Sequence, residues 1–213
     1  MKRSGILTAL LIVIGSAQMV LAEEALEIVK KADGNLIGNK IYSISEMTVY
    51  RSGKARPTME VEGFSMAKNG EDYSLSIYRK PAKMKGTAYL MIGDDLWVKF
   101  ASTGRTRKLS SSAKKNSAGG TDFSYADMGE SSQGISAKYN VRMENSKATV
   151  AGDKCYEISF HPQEGTEGVY EKLVAYIAKE SYRYLRIDYY EAGAVIKSLT
   201  LSDYRQVAGR DYP

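Results

Sequence analysis

Cysteine and histidine, the side chains on which most metal sites and nucleophilic dyads rely, each occur once in this chain, as Cys155 and His161. A single cysteine cannot close an internal disulfide, so the fold has to rest on its apolar core. A single histidine cannot build a His-based zinc site. Any Ser/His/Asp triad would have to use His161, and no Gly-x-Ser-x-Gly elbow is present. Cys155 lies in an alternating stretch, residues 154–160, and reads as a small strand residue. His161 reads as a strand-end residue ahead of Pro162. If both lie on one extended strand, six steps of ~3.3 Å hold them roughly 20 Å apart, too far for a dyad.

Neither sign of charge dominates, with 30 Lys and Arg against 25 Asp and Glu. The formal net charge is +5 over 213 residues, too even a balance to imply nucleic acid. Asp94-Asp95 sits in a turn, where Asp bonds its own backbone. Asp122 and Asp127 flank aromatics with no calcium-loop spacing. Gly119-Gly120 lacks the Lys-Ser or Lys-Thr that completes a phosphate loop. The expectation is therefore no metal, no cofactor and no enzyme. Long apolar runs are absent except near the start, where Lys2 and Arg3 precede residues 6–14, then Met19, Val20 and Leu21. That run falls short of the ~20 residues a membrane span needs and reads as a cleavable signal peptide over residues 1–22. No cysteine follows it, so the chain does not read as a lipoprotein itself. The expected destination is the periplasm. The roughly 190 residues that follow suffice for one domain, residues 23–213.

What is present is mostly period two. Residues 23–36 come first and read as a helix, with Ala25, Ile28, Val29, Ala32 and Leu36 on one stripe. Glu23, Glu24 and Glu27 suit its N-terminal end and Lys30-Lys31 its C-terminal end. Strand patterns follow at residues 41–51, 59–68, 72–78, 87–92, 96–100, 139–145, 155–161, 170–179, 184–191 and 194–205. Turn signals at Ser52-Gly53-Lys54, Asn69-Gly70, Gly93-Asp94-Asp95, Ala151-Gly152-Asp153 and Ala192-Gly193 separate them. About ten short strands with tight turns predict a strongly curved antiparallel sheet or partial barrel. Tyr89 and Met91 alternate with Leu90 and Ile92, and Trp97 opposes Leu96 and Val98. Strands apolar on both phases predict a sheet covered on its second face, by the helix or by a ligand. Sixteen tyrosines against four phenylalanines suit a half-wet lining as well as an ordinary core. Residues 110–133 break the period, and Phe123, Tyr125 and Met128 give that segment something to bury.

Lys80-Pro81, Lys85-Gly86, Leu90, Gly93-Asp94-Asp95-Leu96-Trp97, the run from Arg105 to Leu109 and Gly120-Thr121-Asp122-Phe123-Ser124-Tyr125-Ala126-Asp127-Met128 together resemble the LolA-like superfamily of outer-membrane lipoprotein-sorting proteins, in the branch associated with RND-type (MMPL) exporters. The resemblance implies a mainly β (α+β) fold. A half-open antiparallel barrel would wrap helices that form a lid over an apolar cavity for acyl chains, with no enzymatic activity. It implies cavity-wall candidates Val49, Met59, Val61, Leu75, Ile77, Leu90, Ile92 and Trp97. The lid candidates are Leu109, Phe123, Tyr125 and Met128, with Phe123 and Met128 facing the cavity. Arg105, Arg107 and Lys108 are candidates for contact with lipid headgroups or a partner. Family members continue past a segment like Ser202 to Pro213 with further strands, which leaves open a domain short of its C-terminal strands. The function expected is a periplasmic lipid or lipoprotein carrier with transient membrane contact and an RND/MMPL-type inner-membrane exporter as partner. The alternative is a periplasmic sensor or interaction protein that binds a membrane regulator or serves such an exporter as accessory subunit.

Overall fold

The described residues fall into two compact units, one within residues 1–36 and 135–213 and one within residues 37–134. The computed structural model describes residues 23–36, 38, 40–125, 127, 139–165 and 170–213. The expected signal segment, Met128 and the rest of the 110–133 stretch beyond Asp127 lie outside these residues.

In the first unit, helix α1 covers residues 23–36. Its apolar stripe lands as the period requires: Ala25, Ile28, Val29 and Ala32 are buried and Leu36 packs beside them. They lie against Ile158, Phe160, Leu173, Ala175, Ile177, Ile187 and Tyr189 of a five-stranded antiparallel sheet. Its strands are β9 (Tyr139–Val150), β10 (Asp153–Pro162), β11 (Lys172–Ala178), β12 (Tyr184–Glu191) and β13 (Ala194–Thr200). Polar contacts fix the helix. The buried Asp33 carboxylate accepts a hydrogen bond from the Tyr184 hydroxyl at 2.7 Å, and the Asn35 amide donates to the Ser181 carbonyl at 3.1 Å. A small hairpin, β14 (Arg205–Val207) with β15 (Arg210–Tyr212), follows β13. The sequence pattern ran residues 194–205 as one strand. The chain instead leaves the ladder after Thr200 and turns at Asp203, whose φ is 56°.

The second unit is a six-stranded antiparallel sheet in the order β1-β4-β5-β6-β7-β8. The strands are β1 (Lys40–Met47), β4 (Met59–Lys68), β5 (Glu71–Lys80), β6 (Ala88–Ile92), β7 (Asp95–Lys99) and β8 (Thr106–Lys108). A two-residue-per-arm hairpin, β2 (Tyr50–Arg51) with β3 (Lys54–Ala55), interrupts the passage from β1 to β4. Residues 41–51 are thus not one strand: the ladder with β4 ends where Met47 faces Met59, and Tyr50 and Arg51 pair instead with Ala55 and Lys54 across the Ser52-Gly53 turn. Gly93-Asp94 makes the β6–β7 turn and Asp95 opens β7. In the described part of the irregular stretch lies a single helical turn, α2 (Ser111–Lys114), with the Ser110 hydroxyl capping the Ala113 amide. The fold class is as expected: mainly β, antiparallel, with an N-terminal helix and sheets whose outer strands do not pair to close a barrel among the described residues.

Candidate functional site

In an antiparallel ladder, residues directly opposite one another share a face. Register therefore sorts the second unit's apolar residues without ambiguity. One face carries Val61 opposite Tyr78, Tyr89 opposite Val98, and Met91 opposite Leu96. Here Met59, Val61, Tyr78, Tyr89, Leu96 and Val98 form a buried cluster, with Met47, Val49, Met84, Met91, Phe100, Leu109 and Tyr125 packed around it. The Tyr78 and Tyr89 rings meet edge-on at 5.8 Å, and Tyr125 leans on Tyr89 at 5.5 Å.

Residues 109–125 roof this face. The roof is knit by its own hydrogen bonds: Ala118 N–H to the Phe123 carbonyl at 2.8 Å, Thr121 hydroxyl to the Ala118 carbonyl at 2.8 Å, and Ser117 hydroxyl to the Thr121 carbonyl at 2.6 Å. Ala118, Thr121 and Ser124 are buried. Arg51 ties the roof to the β2–β3 hairpin by donating to the Gly120 carbonyl at 2.9 Å. Gly119 sits at φ 62°, a conformation that favours glycine, and a Cβ there would crowd Met84 Cε at 3.0 Å and the Tyr78 hydroxyl at 3.3 Å. Beneath the roof the Tyr78 hydroxyl faces that of Tyr89, and the Ser74 hydroxyl is buried with no hydrogen-bond partner among the described residues. Burial pushes the ionisation of Tyr78 and Tyr89 upward, with Tyr125 adding to it.

The opposite face is open. Tyr42 lies opposite Phe64, Phe64 opposite Leu75, Leu75 opposite Leu90, Leu90 opposite Trp97, and Trp97 opposite Lys108. This is one apolar ladder running across all six strands and ending in a cation. Tyr42, Phe64 and Leu90 are 60%, 41% and 37% exposed and Ile44 beside them 62%, while Leu75 and Trp97 are half-buried. From Tyr42 to Trp97 the ladder spans four inter-strand steps, roughly 19 Å, longer than the ~15 Å of one bilayer leaflet's hydrocarbon. Ion pairs border it: Glu60 with Lys80 at 2.7 Å, Glu62 with Arg79, and Asp95 with Lys108 at 2.6 Å. The Lys108 ammonium also lies over the Trp97 ring, 5.3 Å from its centre.

The candidate residues divide accordingly. Leu75, Ile77, Leu90, Ile92 and Trp97 share the open face, by register with their partners. Met59, Val61 and Val49 belong to the roofed cluster, together with the lid candidates Leu109 and Tyr125. Phe123 is half-buried within the roof's turn. Met128 lies outside the described residues. Arg105 is exposed in the β7–β8 connection, while Arg107 and Lys108 fall on opposite faces of β8, across from Val98 and Trp97. Reading by alternation missed Tyr42 and Phe64 on the ladder and Tyr78 under the roof. The reason lies in β5, where Leu75 and Ile77 make the obvious apolar phase, yet the roofed phase is Ser74, Ser76 and Tyr78.

In the first unit, Cys155 and His161 both lie on β10. Burial raises the Cys155 thiol's ionisation. His161 Nε2 is 3.1 Å from the Ser159 hydroxyl, but that hydroxyl is buried and donates to Glu144 at 2.7 Å. The carboxylate therefore bonds the serine, not the histidine, and the three do not form the relay of a hydrolase.

Open antiparallel sheets, an N-terminal helix and an apolar sheet face place the chain among LolA-like folds. It is similar to a DUF1329 family protein from Desulfovibrio piger, with 25% identity over 90% of this chain and 82% of that one and a TM-score of 0.79. It is similar to an outer membrane lipoprotein-sorting protein domain from Vibrio parahaemolyticus, with 25% identity over 89% of this chain and 81% of that one and a TM-score of 0.75. A LolA superfamily protein from Nitrosomonas europaea shares the fold at 18% identity, over 89% of this chain and 82% of that one, with a TM-score of 0.71. No curated protein matches the chain. A family model described as "Uncharacterized protein"-like matches residues 70–213, and the chain belongs to that family.

Proposed function

We propose that this protein is a periplasmic carrier of lipids or acylated lipoproteins, which holds an acyl chain on the six-stranded sheet and passes it toward the outer membrane. The observation that carries the reading is the open ladder from Tyr42 to Trp97. An apolar row of this length left in water calls for an occupant, and an extended acyl chain matches it in length and chemistry. Each methylene shielded contributes about 0.8 kcal/mol. A carrier therefore competes with a bilayer only if most of the chain is covered, which requires a second wall above the ladder. The similarity to a lipoprotein-sorting domain supports this reading. Residues 109–125 cover the other face, whose space is filled by its own tyrosines, so a lid role for them belongs to a second reading in which the acyl chain enters beneath that roof.

Substitution separates the two faces. Leu90→Asp places a charge at the centre of the ladder on a side chain 37% exposed, where the fold tolerates it. Tyr125→Asp charges the roof. Measured by acyl species retained through purification, Leu90→Asp should lose most of the cargo while circular dichroism stays unchanged. Loss in Tyr125→Asp with full retention in Leu90→Asp moves the chain to the roofed face. Full retention in both contradicts the proposal. The same ladder could seat a protein, such as an RND-type exporter or a regulator. A stably co-purifying protein partner with no acyl species favours that reading instead.

A further inference from the structure

The two ends of the six-stranded sheet differ in charge. Strand order puts the β1–β4, β5–β6 and β7–β8 connections at one end and the β4–β5 and β6–β7 turns at the other. The first end comprises residues 48–58, 81–87 and 100–105. These carry Arg51, Lys54, Arg56, Lys83, Lys85 and Arg105, with no Asp or Glu anywhere in the three connections. The other end presents Asp94 in its turn, with Glu71, Asp72 and Asp95 beside the two turns and Lys40, Lys68 and Lys108 at the strand ends there, so its charges are nearly balanced. Arg51 is engaged with Gly120 and Asp122 of the roof. Lys54, Arg56, Lys83, Lys85 and Arg105 are exposed and have no acidic partner among the described residues. Tyr50, 66% exposed, stands in the same connection as Lys54 and Arg56.

From this arrangement we infer that the cationic end of the sheet docks on an anionic phospholipid bilayer. The cations come from three separate loops and are spread over the whole end, which suits the diffuse field of a charged surface better than one bound ligand. Lysine ammonium groups on long stems reach phosphate headgroups as point charges. A tyrosine among them suits the interface, with its ring toward the acyl boundary and its hydroxyl in water. Each such cation near an anionic surface strengthens binding by about fivefold, and the attraction fades within a Debye length, ~10 Å at 0.1 M salt. Docking by this end brings the sheet edge-on to the membrane. The inference stands independently of where an acyl chain binds.

Vesicle flotation tests it, with phosphatidylcholine alone and phosphatidylcholine mixed with phosphatidylglycerol. The full chain should bind the mixed vesicles at low salt, release at high salt, and ignore neutral ones. The double variant Lys83→Glu/Lys85→Glu should lose at least tenfold in affinity. Lys40→Glu/Lys68→Glu makes the same change in net charge at the other end of the sheet and should shift affinity by less than threefold. Lys54→Glu/Arg56→Glu repeats the test on a second loop should the first variant fail to fold. Equal losses in the two charge-matched variants, binding indifferent to phosphatidylglycerol, or no vesicle binding at all would overturn the inference; the last would leave these loops to an acidic protein. Acyl species retained by a variant that has lost vesicle binding separates this result from any failure of the carrier reading.

Discussion

Ala192 sits at φ 50°, followed by Gly193 at 75°, in the two-residue turn between β12 and β13. A hairpin turn of this kind needs positive φ at both positions, and alanine adopts it against its own Cβ. Asparagine bears the conformation far more readily. Ala192→Asn should therefore stabilise the protein by about 0.5–1 kcal/mol, raising Tm by roughly 1–4 °C for a chain of this size; an unchanged or lower Tm would show the turn to be relaxed already. At this scale the sequence was a fair guide to position but not to partner. Ala192-Gly193 is legible as a turn from its glycine alone. That Tyr78 is buried under a roof is not, because tyrosine fits a wet lining as readily as a core, and only register places it opposite Val61.

At the scale of elements, the β14–β15 hairpin is held to the first unit by polar contacts that alternation cannot foretell. Arg183 donates to the Asp211 carboxylate at 2.9 Å, Tyr204 donates to the Tyr184 carbonyl at 2.6 Å, and Arg210 reaches the Gly34 carbonyl at 3.0 Å. The hydrogen bond from Arg183 holds the Asp211 carboxyl below its usual range. Its folded pKa is thus lower than its unfolded one. The stabilisation is complete above the unfolded carboxylate's value, about 4, and is lost as pH falls through the lower folded value. Asp211→Asn should lower Tm near neutral pH, and the gap from the parent should close in strong acid. A gap that persists unchanged into acid would mean the contact is not ionic. The helix and the long strands were legible because period and turn chemistry agree there. The short pieces β2, β3, β14 and β15 were not, since two or three residues carry no period. The resemblance groups Leu75 and Ile77 with Met59 and Val61 in one cavity wall. The register divides them between two faces.

At the scale of the whole molecule, the mainly β fold with an N-terminal helix could be read from the sequence, as could the LolA-like resemblance, whose motif lies in residues 80–128. The division of the second unit's sheet into a roofed face and an open ladder could not, because alternation gives two phases and leaves open which one is covered. The ladder carries the proposed function, and the cationic end of the same sheet carries the inferred membrane docking. Native mass spectrometry of the protein purified from its own compartment under non-denaturing conditions tests the account most directly. The account predicts a bound acylated species, released on denaturation and absent from Leu90→Asp. A parent protein that flies at its bare mass, with no acylated species, would contradict it.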